Sequence, residues 1–212
     1  MKHTIDIHTK NTIHPTAVID DCVVMGTGNY VGPFCYLTGS LEIGNNNRFE
    51  AYCSIGTRPE HKDYWQKDGY VEIGDNNVFR EYITIHAGTK DLTRIENNVI
   101  MLRGSHVAHD CVIENRVTLS VNAVMLGHVF VMHDSNCGSG CQVHQHQVVG
   151  AWSMIGMGCV LPKKTRISPG QVWVGNPGKN IKVNDYIMKD VSETQLNSVT
   201  ERFLNLRDKH GL

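Results

Sequence analysis

The sequence predicts an all-β solenoid of hexapeptide repeats, and three observations lead to this fold class. An apolar residue recurs at every sixth position over most of the chain, without a break from Ile95 to Trp173. Glycine, asparagine or aspartate follows many of these positions, as in Ile43–Asn46 and Ile73–Asn76, and such residues accept the positive φ angles of tight corners. The repeat also keeps one phase far longer than a β-sandwich does, since sandwich strands alternate with period two.

The hexad period further predicts how the walls of the solenoid are arranged. Three short walls make a coil of about 18 residues, and each hexad sends one apolar side chain inward to stack on its equivalent in the next coil. Hexapeptide tracts of this kind resemble the left-handed parallel β-helix family, and this resemblance implies the left-handed form. The inward residues that we expect on one wall are Ile55, Ile85, Val107, Met125 and Val143.

Two parts are expected along the chain, and the first is the β-helix over residues 1–176. Its six-residue phase is interrupted near 57–69 and 86–94, where we expect inserted loops. Loops that leave a solenoid from a corner often cover its binding face. In the first loop, Tyr64 and Trp65 favour contact with a ligand or a neighbouring subunit.

The second part, residues 177–212, is expected to be a short helical extension. Glycine and proline in Val174–Lys179 end the repeat, and Ser192–Gln195 has the form of a capping box. The apolar residues that follow at helical spacing are Leu196, Val199, Phe203 and Leu206. We expect this helix to cover the open end of the prism or to pack on a partner subunit.

Composition favours an ordered cytoplasmic protein. The chain is 41% hydrophobic and 19% charged, which argues against disorder. A formal net charge of -1 gives no electrostatic reason to expect nucleic acid as a partner. No apolar run is long enough to span a bilayer, and the polar start Met1–Thr4 is unlike a signal peptide. Seven cysteines without a CxxC pair predict reduced thiols, and Cys137 takes an inward position.

Outward-facing histidines gather on one edge of the predicted prism. His109, His128 and His146 have nearly matched offsets after their inward residues, and His86 and His144 each follow theirs directly. The first insertion leaves from the same face. Because histidine suits proton transfer and metal binding near neutral pH, the sequence predicts chemistry at this edge, between coils and under the loop.

Five segments are distinctive in combination: His106–Cys111, Leu126–Val129, Val143–Gln145, Thr84–Thr89 and Glu72–Asn77. With these segments, the sequence over roughly residues 13–165 resembles the UDP-N-acetylglucosamine acyltransferase family, which starts lipid A and hence lipopolysaccharide synthesis. The resemblance implies a homotrimer that acts on a nucleotide-activated sugar. It implies an acyl thioester of acyl carrier protein or CoA as co-substrate, with no bound cofactor and no metal.

The resemblance also implies roles for individual residues. His109 matches the general base, the Gly127 N–H matches the oxyanion-hole donor, and Asp110 is placed to support His109. The residues expected to bind the sugar nucleotide are His61, Asp63, His86, His106, His128, His144 and Gln145.

Two departures from the family pattern concern the substrates. His61 and Asp63 align with an acid and a lysine of the family, so sugar-nucleotide recognition is expected to differ. Met157, which we expect close to Trp152, replaces a small glycine at the floor of the acyl groove. A larger side chain there predicts a shorter acyl group than the long hydroxyacyl chains typical of the family.

A third departure is the end of the chain, where the family's long helical domain is mostly missing. The segment Gly175–Lys179, after the basic residues Lys163, Lys164 and Arg166, resembles the ending of acetyl-CoA-dependent hexapeptide acetyltransferases. These basic side chains suit the phosphates of CoA or the acidic surface of an acyl carrier protein. An ordinary solvated, charged end fits the same residues equally well.

Three other functions remain open from the sequence. One is an acetyl-CoA-dependent N-acetyltransferase of a nucleotide amino sugar. Another is a zinc enzyme like the γ-class carbonic anhydrases, for which His128 and His133 have a usable spacing. The third is a non-catalytic structural trimer, which leaves the histidine column unexplained.

Overall fold

The computed structural model describes residues 4–6, 10–63 and 69–212. It shows a parallel β-solenoid of about 9 turns with a short C-terminal helix. The chain passes through three walls in turn, so each strand bonds to the strands one coil before and one coil after it. The predicted left-handed parallel β-helix of hexapeptide repeats is confirmed. Tyr64 and Trp65 lie outside the described residues.

The strands are numbered β1 to β26 in chain order, and each belongs to one wall. Wall 1 contains β1 (Thr4–Asp6), β2 (Asn11–Ile13), β5 (Tyr30–Val31), β8 (Arg48–Phe49), β11 (Val78–Phe79), β14 (Ile100–Met101), β17 (Thr118–Leu119), β20 (Asn136–Cys137), β23 (Met154–Ile155), β25 (Gln171–Val174) and β26 (Lys179–Val183). Wall 2 contains β3 (Val18–Ile19), β6 (Tyr36–Leu37), β9 (Ser54–Thr57), β12 (Thr84–His86), β15 (His106–Val107), β18 (Val124–Met125), β21 (Gln142–Val143) and β24 (Val160–Leu161). Wall 3 contains β4 (Val24–Met25), β7 (Ser40–Ile43), β10 (Tyr70–Ile73), β13 (Thr93–Ile95), β16 (Val112–Ile113), β19 (Phe130–Val131) and β22 (Val148–Val149).

The hydrophobic core is the column of inward side chains that the six-residue period predicts. Val107, Met125 and Val143 on wall 2 pair directly across coils and are fully buried. A second inward position, two residues earlier in each hexad, takes smaller side chains such as Cys111 and Cys141, which are also fully buried. All seven cysteines are free thiols, as predicted. Burying each such apolar side chain stabilises the fold by about 1.5–3 kcal/mol.

Buried asparagines supply the polar counterpart of this core in the first coils. The Oδ1 of Asn11 accepts a hydrogen bond from the backbone N–H of Asn29 at 2.8 Å, Asn29 does the same for Asn47 at 2.8 Å, and Asn47 for Asn77 at 2.9 Å. An unsatisfied buried amide would cost about 1–3 kcal/mol. The ladder removes that cost for Asn11, Asn29 and Asn47, whose Nδ2 groups also donate to backbone carbonyls, and it ties successive coils together.

The corners have the positive φ angles that the sequence predicts, although not always with the expected residues. Asn46 and Asn76 have φ of 56° and 59°, as their residue type favours. Phe34, Tyr52 and Tyr82 occupy equivalent positions with φ between 57° and 63°, and their exposed rings stack at 5.1 and 5.0 Å. Because bulky residues are strained at positive φ, the stacking offsets part of a backbone cost.

Both inserted loops leave from one corner, between walls 2 and 3, which we call the site corner. Ser40 on β7 pairs with Tyr70 on β10, and Glu72 on β10 pairs with Arg94 on β13. In both pairs the two residues are farther apart in the sequence than the usual 18 residues of one coil, because a loop lies between them. On wall 3 the register is continuous after both loops, whereas on wall 2 it shifts between Ile85 and His86, where the second loop leaves the solenoid. The insertions therefore add chain at the site corner.

The C-terminal extension differs from a purely helical one. Strand β26 folds back on β25 in an antiparallel pair, and α1 (Asp185–Met188) and α2 (Glu193–Lys209) follow. The predicted capping box is present, because Ser192 and Gln195 each bond to the other's backbone N–H. None of the described helices combines the length and apolar character that crossing a membrane requires.

Helix α2 packs along the outer face of wall 3. Phe203 is fully buried against a cluster that includes Met132, Val148 and Trp152. Arg202 pairs with the buried Glu114 carboxylate next to wall 3. The expectation that this helix covers the open end of the prism is therefore wrong for the single chain, because apolar residues on the outside of wall 3 provide its docking surface.

Replacing Phe203 by alanine is expected to lower the free energy that keeps α2 docked by about 3 kcal/mol, since a fully buried ring is lost. Amide hydrogen exchange within α2 measures this free energy directly. The neighbouring Leu204→Ala is the matched control, because Leu204 is 39% exposed and its replacement should leave exchange nearly unchanged. Equal exchange in both variants would contradict this docking.

Candidate active site

The site corner carries a continuous column of histidines. His109 follows β15, His128 follows β18 and His146 follows β21, so each lies one coil from the next. The ring centroids are 5.1 Å apart for His109 and His128, and 4.4 Å apart for His128 and His146. At the other end, His61 from the first inserted loop contacts His109 edge to face at 5.5 Å. The structure therefore brings the predicted histidine column together with the first loop.

His109 and Asp110 form a hydrogen-bonded pair at the centre of this column. The Nδ1 of His109 lies 2.7 Å from the Oδ2 of Asp110, and His109 is only 8% exposed. Because an ionised carboxylate is an acceptor only, Nδ1 carries the proton in this pair. The Nε2 of a neutral His109 is then free of a proton and available as a base.

The second inserted loop holds Asp110 in place. Its Oδ1 accepts hydrogen bonds from the backbone N–H groups of Thr89, Lys90 and Asp91 at 2.8, 3.1 and 2.9 Å. Its Oδ2 accepts one from the Thr89 hydroxyl at 2.6 Å. Burial alone raises the pKa of the Asp110 carboxyl, but the bonds from His109 and the loop outweigh it and keep the pKa well below its usual range. Asp110 is thus a fixed anion behind His109.

Acidification is expected to remove the stability that Asp110 provides. Its pKa in the folded protein lies below the value of about 4 expected when unfolded. The contribution is therefore present at neutral pH and is lost as the pH falls below about 4. Urea unfolding at about pH 6 and about pH 3 should show a larger loss of unfolding free energy in the natural protein than in Asp110→Asn. Equal losses would show that Asp110 is not held as described.

Gly127 lies directly against the base. A Cβ atom placed on Gly127 would meet the His109 ring at 2.6 Å from Cε1 and 2.7 Å from Nε2. Within the described part of the chain, the Gly127 N–H donates no hydrogen bond. Only a residue without a side chain leaves His109 its present position, next to the Gly127 backbone.

A second group of side chains lies near the His109–Asp110 pair at the site corner. His86 and His106 are in edge-to-face contact at 4.8 Å, and the Thr84 hydroxyl lies 2.7 Å from His106 Nδ1. Burial lowers the pKa of His86, and it lowers the pKa of His106 to about 4. Both rings are therefore neutral at physiological pH, and the nearby Glu60 carboxylate only partly opposes the shift.

Two cavities lie along the site corner. One, of about 780 Å³, is lined by Thr38, Arg58, Glu60 and His86 among others. The other, of about 650 Å³, lies between the site corner and the end of α2, and it is lined by Asp110, His128, His146 and His210 among others. Each cavity is large enough for part of a ligand, and Asp110 lines the second.

The remaining predicted binding residues are spread along the same corner. His144 and the exposed Gln145 follow β21, two coils from His109, and Asp63 is exposed in the first loop next to His61. Lys163 and Lys164 follow β24 at the next coil, where Lys163 helps to lower the pKa of His146 after the larger effects of burial and His128. Arg166 is exposed just beyond them.

One predicted pocket does not form within a single chain. Met157 follows β23 on wall 1 and is 81% exposed, whereas Trp152 follows β22 on wall 3 and is buried beneath α2. The two therefore stand at different corners, and the expectation that Trp152 lies close to Met157 in an acyl groove is wrong. Trp152 packs the C-terminal helix against the prism.

The histidine pair considered for a zinc enzyme is likewise separated. His128 lies at the site corner, and His133 follows β19 at the next corner, where its Nδ1 lies 2.8 Å from Asp134 Oδ2. The chain between His128 and His133 runs along one whole wall, so their spacing in the sequence places them at different corners. In one chain these two histidines do not share an ion.

Sequence reasoning missed three residues of this region: Glu60, Thr84 and Thr89. Thr84 faces His106 through a separation of 22 residues instead of 18, and Thr89 meets Asp110 from a loop without a repeat of its own. The second insertion adds four residues to the repeat. Allowing for these four residues would have placed Thr84 opposite His106. Thr89 ends the Thr84–Thr89 segment, but nothing in the sequence marks it as a partner of Asp110, because that contact depends on the backbone path of the loop.

The comparisons with known proteins agree with this architecture. No protein-family profile matches the sequence. Among solved structures, LpxA from Acinetobacter baumannii superposes with a TM-score of 0.77 at 25% identity, covering 90% of this chain and 82% of that one. UDP-N-acetylglucosamine O-acyltransferase (LpxA) from Moraxella catarrhalis gives 0.70 at 28% identity, with 90% and 82% covered. UDP-N-acetylglucosamine acyltransferase from Francisella novicida gives 0.75 at 27% identity, with 89% and 77% covered.

The similarity extends from the repeats into the C-terminal part, since about nine-tenths of the chain is covered in each case. The chain therefore has the hexapeptide-repeat β-helix fold of the UDP-N-acetylglucosamine acyltransferases, and the resemblance predicted from its sequence is confirmed.

Proposed function

We propose that this protein is an acyltransferase that moves an acyl group from a thioester to a hydroxyl or amine of a nucleotide-activated sugar. The observation that carries the proposal is the His109–Asp110 pair beside Gly127, on a fold shared with UDP-N-acetylglucosamine acyltransferases. In this mechanism, Nε2 of His109 removes the proton from the attacking group, and Asp110 stabilises the imidazolium that forms. The Gly127 N–H stabilises the oxyanion that forms at the thioester carbonyl. When this intermediate collapses, the C–S bond breaks, and the His109 imidazolium gives its proton to the departing sulfur, which leaves as the free thiol.

The two cavities suggest how the substrates are arranged around the base. The acceptor sugar occupies the cavity at Glu60 and His86, with His61, His106 and His128 lining its approach to His109. The thioester donor, acyl carrier protein or CoA, approaches along the site corner from Lys163, Lys164 and Arg166, whose charges suit phosphate. The reaction requires no bound cofactor.

A homotrimer is part of the proposal. It comes from the likeness to the neighbouring enzymes, and a site at a corner of the prism would be completed by an adjacent subunit. Light scattering after gel filtration should give the mass of three 23.7-kDa chains. A monomeric mass with full activity would overturn the proposed homotrimer and leave the proposed reaction unaffected.

A free-thiol release assay tests the proposed reaction. Acetyl-CoA and short and long acyl carrier protein thioesters are offered in turn against a panel of UDP- and dTDP-sugars. We expect thiol release that requires both donor and acceptor, with a preference for short acyl groups if Met157 narrows the groove. Release with acetyl-CoA and an amino sugar would identify an N-acetyltransferase. Absence of release with every pair would overturn the proposal.

A further inference from the structure

We propose that the corner between walls 1 and 2 binds a second copy of this chain and closes the acceptor cavity of that copy. We call it the aromatic corner, after Phe34, Tyr52 and Tyr82, whose side chains are 46–56% exposed. The acceptor cavity is the one lined by Glu60 and His86. The inference rests on the proposed homotrimer, and it names the surface with which each subunit completes its neighbour's site.

The aromatic corner has the composition of an interface centre. Its three rings stack in one column, with centroids 5.1 and 5.0 Å apart. All three residues have φ between 57° and 63°, where bulky side chains are strained. Stacking offsets only part of this cost, and burial of the rings against another protein surface would offset more. Aromatic residues are enriched where subunits meet.

The corner between walls 3 and 1 shows that the turn itself does not require aromatic residues. At the same position of the hexad it carries Asn46, Asn76 and Asn98, with φ between 56° and 59°. These asparagines are exposed to water, and asparagine accepts this backbone with little strain. The same geometry thus carries polar side chains at one corner and large apolar ones at the other, so the rings serve a contact outside the chain.

Wall 2 joins the aromatic corner to the site corner, and its strands contain no acidic residue, lysine or arginine. Its outward residues include Val18 and Tyr36, which are both exposed. Wall 3, in contrast, carries Glu72 and Arg94 on its outer face and is covered by α2. The three rings of the aromatic corner offer about 300 Å², and a stable interface takes about 800 Å² from each partner. Because charge is depleted at interface centres, we infer that wall 2 supplies the remainder and faces the threefold axis.

Symmetry determines which surfaces meet in such a trimer. In a closed ring of three identical chains, each interface joins two different patches. With wall 2 toward the threefold axis, the aromatic corner of one subunit meets the site corner of the next. Their coils match in height, because Tyr82 precedes β12, which ends at His86. Gly104 takes the next position of the aromatic column, so no side chain there covers the far face of Tyr82, and the base of a nucleotide sugar in the neighbour's cavity can stack on it.

Cross-linking of the purified full-length chain tests this surface without any substrate. Cys22 is exposed at the site corner, whereas the other six cysteines are buried. Phe34 precedes β6, and Cys22 follows β3, which pairs with β6. A short bismaleimide should therefore join the thiol of Phe34→Cys to Cys22 of the next subunit, and denaturing gels should show covalent dimers and trimers.

Asn46→Cys is the matched control, because it places a thiol at the same hexad position and backbone angle on the other corner. It should give no covalent oligomer, and neither should Phe34→Cys combined with Cys22→Ser. Light scattering gives the mass of each variant. The proposal is overturned if the natural protein is monomeric, if trimeric Phe34→Cys gives no cross-link, or if Asn46→Cys gives the same products. Dissociation of Phe34→Cys alone would support the contact.

Mixing of subunits tests whether Tyr82 acts on the neighbour's site. Tyr82→Ala should raise KM for the nucleotide sugar about tenfold with little change in kcat, because a stacking surface is lost. Chains with Tyr82→Ala and chains with His109→Ala are then co-expressed in equal amounts. In about a quarter of the sites of the mixed trimers, an intact His109 faces an intact Tyr82 of the next subunit. At low acceptor concentration, the mixture should therefore release thiol faster than Tyr82→Ala alone.

A different outcome is expected if Tyr82 acts within its own chain or has no role. The mixture would then release thiol about half as fast as Tyr82→Ala alone, because half of its chains lack the base, and this result would overturn the contribution of Tyr82. If the natural protein releases no thiol with any donor and acceptor, the proposed function fails, while cross-linking still decides the interface. The two proposals are thus tested separately.

Discussion

His109→Ala is expected to lower kcat by about 10²- to 10⁴-fold when the acceptor is a sugar hydroxyl. The loss follows from removing a positioned general base whose Nδ1 is already fixed by Asp110 at 2.7 Å. An amine acceptor needs less help in losing its proton, so the same substitution should then cause only a small loss. Thiol release measured at saturating donor, with matched hydroxyl and amino sugars, distinguishes the two cases.

The chain offers a matched control for this experiment. His133 and Asp134 form a pair of the same kind, with Nδ1 2.8 Å from Oδ2, but they lie at the next corner of the prism. His133→Ala should therefore keep the rate of the natural enzyme. An equal loss in both variants would mean that the effect is one of folding. Full activity in His109→Ala with a hydroxyl acceptor would remove His109 from the role of base.

Gly127→Ala is expected to reduce kcat by about 10²-fold without unfolding the protein. The added methyl would lie 2.6 Å from Cε1 of His109, so the imidazole has to move, and a displacement of about 1 Å at a reacting group costs this much. Steady-state kinetics should show the loss in kcat, while urea unfolding should show little change because Gly127 is not at a positive φ.

Gly140→Ala serves as the comparison for Gly127→Ala. Gly140 has no atom within 4 Å of an added Cβ, but its φ is 68°. Its replacement should cost about 1 kcal/mol of stability and leave the rate per folded molecule unchanged. The steric explanation fails if Gly140→Ala impairs catalysis as strongly as Gly127→Ala, or if Gly127→Ala is fully active.

The sequence predicted the walls and the site corner because both follow from the six-residue period of the inward residues. One inward residue per hexad determines which positions share a wall, and this is enough to align His109, His128 and His146. Features without a period were not predictable in this way. The path of the second loop, which directs three backbone N–H groups at Asp110, depends on backbone angles that composition does not specify.

Helix α2 shows the same limit at the level of packing. Its cap and apolar stripe were predicted from local residues, and both are present. Its docking surface was not predicted, because Met132 and Val148 are outward residues of wall 3 that look like ordinary solvent positions in the hexad pattern. Trp152 was assigned to an acyl groove for a related reason: the helix that buries it lies about 50 residues further along the chain.

The way in which the two insertions leave the solenoid has a consequence for how such a protein can change over evolution. Each loop starts and ends at the site corner, and the strands of wall 3 that follow the loops keep their pairing. Lengthening or shortening the first loop therefore alters the ligand's surroundings and leaves His109 against Gly127, whereas the second loop also holds Asp110 in place. A single-residue deletion inside a wall would instead turn every later inward side chain outward. Natural variants should accordingly differ in loop length while preserving the hexad count, so that specificity diverges faster than the catalytic geometry.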